Sequence, residues 1–202
     1  MTWPAAPAWS ASRWFNTPEP LTLEALRGRV VMLHAFQMLC PGCVSHGIPQ
    51  AQRVASQFGE APVTVVGLHT VFEHHDVMGP DALAAFLHEY RVRFPVAVDH
   101  PGPAGDPLPV TMRAYGMRGT PTVVLIDAAG RVRQQVFGAY DDLQLGRDLG
   151  VLIAEALAAR QRPSETDRPR PVAAPGCDEA GCANEEGQPS MRFTVPGNER
   201  YP

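Results

Sequence analysis

The sequence predicts an α/β domain built on a central mixed sheet flanked by helices, with a Pro-rich C-terminal tail. Apolar, β-rich runs at Arg29–Phe36, Pro62–Leu68, Phe94–Val98 and Thr122–Asp127 alternate with stretches of helical periodicity. That order implies βαβ units and a partly parallel sheet. A last run, Arg131–Phe137, follows Thr122–Asp127 across Ala128-Ala129-Gly130, a hairpin turn that adds an antiparallel edge. From about Gln161 the composition changes: residues 161–202 hold seven prolines and few large apolar side chains.

Each element has a local reason. Residues 1–20 are rich in Pro and Trp and read as an N-terminal extension carrying a short strand at Ser12–Phe15. Arg29–Phe36 is nearly continuous in apolar residues, as a strand buried on both faces should be. The stretch Val44–Phe58 reads as a helix ending near Gly59. In Ala82–Arg91, Leu83, Phe86, Leu87 and Tyr90 recur at helical spacing. Pro80 and Asp81 suit the first turn of that helix. Four prolines between Pro101 and Pro109 mark a loop, followed by a short helix at Thr111–Tyr115. Asp141 can cap a last helix whose buried stripe is Leu145, Leu149, Leu152, Ile153 and Leu157. The folded domain is thus expected over residues 21–160. The segment 161–202 has too little apolar surface to offset its ordering entropy and is expected to be an extended or disordered tail, with Met191–Val195 the one run able to dock as a strand.

Composition excludes several function classes. The net charge of -4 argues against a nucleic-acid partner and against an anionic membrane surface. No run approaches the ~18–20 apolar residues of a membrane span. Residues 1–16 lack a basic start followed by an apolar run, so no secretory signal is read there and the expected compartment is the cytoplasm. All 17 basic residues are Arg, which removes lysine chemistry.

The 4 cysteines fall into two close pairs, Cys40/Cys43 and Cys177/Cys182. They are too sparse for a disulfide scaffold, and in a reducing compartment such pairs read as redox or metal sites. Cys40-Pro41-Gly42-Cys43 lies between an apolar strand and a helix. Two cysteines three apart at a helix start are within disulfide reach. Free N–H groups and the positive helix end favour a thiolate at the first. Cys40 is therefore the expected nucleophile, and Cys43, one turn inside, the resolving thiol. Downstream, Arg118-Gly119-Thr120-Pro121 precedes a strand. A cis Thr120–Pro121 bond would make a tight turn beside the cysteines, leaving the Thr120 backbone to pair with an extended substrate.

These residues resemble the redoxin, TlpA-type branch of the thioredoxin-like superfamily. The resemblance lies in Leu21–Val31, in Cys40-Pro41-Gly42-Cys43 with Ile48-Pro49 after it, and in Gly119-Thr120-Pro121-Thr122, and it spans roughly residues 12–158. It implies the thioredoxin fold, disulfide exchange and a cis-proline at Pro121. The chain departs from the family pattern in four places. Leu39 stands where Trp is usual, and Gln37 where peroxiredoxins carry Thr or Ser. His34 occupies the place of a buried acid, and His46 that of a Glu. Imidazole thus replaces carboxylate twice. Either histidine is expected to handle the Cys43 proton, with exchange depending on pH between about 5.5 and 8. The competing reading of His34 is a core histidine with its hydrogen bonds met.

Two further groups remain. His69, His74, His75 and Asp76 follow a strand end and carry metal-ligand chemistry, although a polar loop leading into the next helix is the favoured reading of them. Cys177 and Cys182 are candidates for a second redox pair or a metal pair, or have no specific role. The function expected from all this is a thiol–disulfide oxidoreductase. Its substrate is a protein disulfide, an electron donor restores it, and no cofactor is needed. A peroxiredoxin-like peroxidase and a thiol-based metal carrier are the alternatives.

Overall fold

The computed structural model describes residues 2–104 and 106–161. The Cys177/Cys182 pair, the Met191–Val195 run and nearly all of the expected tail lie outside them. Among the described residues one six-stranded sheet forms, in the order β1-β4-β3-β2-β5-β6. Its strands are β1 (Ala11–Phe15), β2 (Val30–Phe36), β3 (Val63–His69), β4 (Val96–Asp99), β5 (Thr122–Ile126) and β6 (Val132–Phe137). β2, β3 and β4 run parallel, while β1, β5 and β6 pair antiparallel to their neighbours. The strand β1 belongs to this sheet as its edge, within the segment read as an extension.

The run at β2 is apolar throughout because both faces are covered. Val30, Met32 and Phe36 face a core shared with three helices: α1 (Ile48–Gln57), α2 (Pro80–Glu89) and α4 (Asp142–Gln161). Val31, Leu33 and Ala35 alternate onto the other face. There they meet Leu23, Leu26 and the residues of α3 (Val110–Ala114) and its exit, Met112, Tyr115 and Met117. The Asp99 carboxylate is buried at the end of β4, where it accepts the Thr111 and Met112 N–H groups and the Thr70 hydroxyl. A buried carboxylate with that many donors ties β4 to the first turn of α3 and to the exit of β3.

The hairpin forms at Gly130, whose φ of +72° suits a residue without Cβ. The Asp127 carboxylate gathers the Ala129 and Arg131 N–H groups around the turn. Asp141 caps α4 through the Leu143 and Gln144 N–H groups, as expected. The stripe on α4 needs one correction. Leu145, Leu149 and Leu152 are buried, but Leu157 is exposed and Ala156 takes the inward position. One helical step separates the two, and the last turn of α4 closes its face with the smaller residue. Among the described residues no helix is long and apolar enough to cross a membrane.

Candidate active site

The parallel strand β2 ends at Phe36 and the chain turns through residues 37–40 into a helix. Gln37 shapes the turn although it is buried. Its carbonyl accepts the Cys40 N–H, its side-chain oxygen accepts the Phe72 N–H, and its side-chain amide donates to Glu73. The loop after β3 is thereby tied to the cysteine loop.

The helix opens on Cys40. Its carbonyl accepts the Cys43 and Val44 N–H groups, and its sulfur lies 3.3 Å from the Cys43 nitrogen. The Cys40 Sγ also lies 3.4 Å from the Thr120 carbonyl oxygen. Cys40 is half-buried and Cys43 buried, and both are free thiols. Burial, followed by the hydrogen bond to Cys40, pushes the Cys43 thiol up to about 12.

The sequence reads as one helix from residue 44, but residues Cys43–Gly47 form a π-turn before α1 begins. The Ile48 N–H bonds to the Cys43 carbonyl, five residues back. Pro49 is the cause. It has no N–H to offer Ser45, and its ring excludes that carbonyl from the usual α position. The turn widens, and Gly47 is brought to the inside.

The Thr120–Pro121 peptide bond is cis. Pro121 packs against both glycines of this region: a Cβ at Gly42 would lie 3.4 Å from its Cδ, and one at Gly47 would lie 3.2 Å from its Cβ. Beneath Gly47 sits His34, fully buried in the middle of β2. A Cβ on Gly47 would come within 2.6 Å of the His34 Cε1. Cys43 and Gly47 are one helical turn apart and both face inward, so the imidazole lies under the same face as the Cys43 thiol.

Neither ring nitrogen of His34 has a hydrogen-bond partner. This differs from the expected alternative, a core histidine with its bonds met. Burial, with a smaller contribution from the charge of His46, lowers its pKa to about 4. The pH window expected from an ordinary histidine therefore does not apply to His34, which stays neutral between pH 5.5 and 8. His46 is half-buried on the π-turn, with its Nε2 3.4 Å from the Tyr140 carbonyl.

The histidine loop does not assemble. His69 is buried at the end of β3 against Phe36, with ring centroids 5.4 Å apart and both nitrogens unpartnered. Burial lowers it to about 4 as well. His74, His75 and Asp76 are exposed. Among the described residues no group of three or more His, Cys, Asp or Glu is placed to hold a metal ion. Adjacency in sequence put these histidines together, whereas the strand end turns His69 inward and leaves the others in solvent.

Sequence reasoning passed over Gln50 and Tyr140. The buried Gln50 amide donates to the Tyr140 carbonyl and to Asp142, fixing α1 to the start of α4. The only signal was a polar residue on the inward face of an amphipathic helix.

Compared with known families, residues 4–159 match the Redoxin family. The chain belongs to the Redoxin family. The fold of this redoxin is thioredoxin-like. It is similar to the solved structure of the thioredoxin-like superfamily protein SPOA0173, with 54% identity, a TM-score of 0.72, and coverage of 74% of this chain and 96% of that one. It is likewise similar to a thiol-disulfide isomerase from Corynebacterium glutamicum, with 50% identity, a TM-score of 0.70, and coverage of 74% and 97%. Among curated relatives, this redoxin is 30% identical over 130 residues to Protein DipZ of Mycobacterium tuberculosis, which covers 63% of this chain and 17% of DipZ. It is 28% identical over 125 residues to the thiol-disulfide oxidoreductase ResA of Bacillus anthracis, covering 62% of this chain and 64% of ResA. The redoxin thus matches a small part of DipZ and just under two thirds of ResA.

Proposed function

We propose that this redoxin is a dithiol–disulfide oxidoreductase acting on protein disulfides, with Cys40 and Cys43 as its redox pair. The observation that carries this reading is the asymmetry of the two sulfurs. Cys40 is partly open to solvent beside the Thr120 carbonyl, while Cys43 is buried one turn inside with its thiol pushed up to about 12. An accessible sulfur at a helix start suits attack, and a shielded one suits resolution.

The Cys40 thiolate attacks one sulfur of the substrate disulfide and expels the other as a thiolate, leaving a mixed disulfide. Cys43 then loses its proton and attacks the Cys40 sulfur. The second substrate thiolate leaves and the Cys40–Cys43 disulfide forms. Two electrons pass to the substrate, and a dithiol donor returns them to the pair. The Thr120 backbone beside Pro121 positions the substrate strand.

The histidines divide the proton work unequally. A neutral imidazole near 4 is a weak base for a thiol near 12, so transfer to His34 is strongly uphill in the dithiol state. His46, half-exposed on the same turn, is the better proton outlet to water. The cytoplasm expected from the sequence would hold the resting pair as a dithiol. Acid-quenched cells in which the pair is mostly oxidised would count against that compartment.

Insulin reduction with dithiothreitol as donor tests the activity, and it should be lost in Cys40→Ser. The Cys43→Ser variant should accumulate mixed disulfides that a reducing gel dissolves. Rapid peroxide consumption by Cys43→Ser without such adducts would refute this reading in favour of a peroxidase.

A further inference from the structure

Resting on the proposed function, we infer that Arg118 and Phe137 form a subsite beside Cys40 that selects disulfides flanked by acidic side chains. The Thr120 carbonyl reaches the Cys40 sulfur at 3.4 Å, and Arg118 and Gly119 immediately precede Thr120 in the chain. Phe137, opposite Thr122 at the end of the edge strand β6, folds its ring over Gly119. A Cβ at residue 119 would lie 2.9 Å from the Phe137 Cε2, so this close approach requires glycine there. The ring is nevertheless 46% exposed. The Arg118 guanidinium lies 5.3 Å from the ring centroid, in cation–π range.

Among the described residues Arg118 takes part in none of the seven ion pairs, which involve six other arginines. It is a free cation held over an aromatic shelf, two residues before the backbone that would pair with substrate. Leu39, immediately before Cys40 in sequence, is 58% exposed. The site therefore offers an exposed apolar residue next to Cys40 and an aromatic shelf with an unused positive charge. The occupant that fits is an extended segment with Asp or Glu next to its reactive cysteine. Its carboxylate pairs with Arg118 and its methylenes lie on Phe137.

A cyclic disulfide peptide with the sequence of residues 177–182, Cys-Asp-Glu-Ala-Gly-Cys, is a direct probe of this chemistry. Its counterpart carries Asp178→Asn and Glu179→Gln. The second-order rate constant for reduction of each peptide by the reduced full-length chain is measured at low salt. The acidic peptide should react about two- to fivefold faster than the amide peptide, the range of a solvent-exposed ion pair. Arg118→Gln should bring the ratio to about one, and Arg118→Glu should invert it. In the wild type, high salt should erase the preference. Turnover of both peptides at a ratio that no change at residue 118 alters would overturn the subsite and leave the oxidoreductase reading standing. No reduction of either peptide, together with no insulin reduction, would overturn the oxidoreductase reading itself.

Discussion

Replacing Gly47 with Ala tests the packing that sets His34 beneath the π-turn. The residue is helical, with φ -63° and ψ -50°, so the backbone accepts alanine and helix propensity alone favours it by about 1 kcal/mol. The space does not accept it. The new methyl would sit 2.6 Å from the His34 Cε1 and 3.0 Å from its Nε2, where carbon contacts prefer about 3.5–4.0 Å. The imidazole has little freedom to withdraw. It is fully buried and stacked on Phe36 with 4° between the planes, and the new methyl cannot shift away from it because Pro121 already lies 3.2 Å from that methyl. Overpacking of this kind costs about 1–3 kcal/mol, so after the propensity gain the net loss should be up to about 2 kcal/mol. In urea unfolding the midpoint should fall by up to about 1 M. With His34→Ala in place the obstruction is gone, and Gly47→Ala should become neutral or stabilising, a coupling of at least about 1 kcal/mol. An equal fall in midpoint in both backgrounds, or a rise with His34 present, would refute the reasoning.

Stability should decline in acid because His34 and His69 are buried neutral. Each is held near 4 in the folded chain against an ordinary 6.5, so between those values only the unfolded chain takes up the proton. Stability is therefore full above pH 6.5 and is lost as pH falls towards 4, by about 3 kcal/mol for each histidine at the limit. Unfolding midpoints read across this range should flatten in His69→Gln, and an unchanged slope would contradict the account. At pH 8, iodoacetamide should label the Cys43→Ser variant at Cys40 and leave Cys43 of the Cys40→Ser variant largely unmodified. Labelling of Cys43 should stay far slower than that of Cys40, because burial alone pushes its thiol up and shields it, and mass spectrometry of the two variants decides it. Asp99→Ala should cost about 2–4 kcal/mol, since the Thr111 and Met112 N–H groups and the Thr70 hydroxyl lose a buried acceptor. A loss below about 0.5 kcal/mol in thermal unfolding would show that water replaces the carboxylate there.

Amino-acid order alone determined the strand and helix succession, the placement of Cys40 between β2 and a helix, and the hairpin at Gly130. These are local matters of periodicity, burial on one or two faces, and backbone freedom, and they are written in neighbouring residues. The tertiary structure decided how distant residues meet. His34 lies under Gly47 because Pro49 widens a helical turn above the middle of β2. Its pKa departs from the ordinary value because the sheet and α1 exclude water from it, and no pattern in the chain states that. Likewise His69 parts from His74 and His75 because one lies inside a strand end and the others outside it. Phe137 reaches Gly119 only through the pairing of β5 with β6. Side-chain environment depends on contacts across long separations in sequence, and a one-dimensional pattern records only which residues are available to make them.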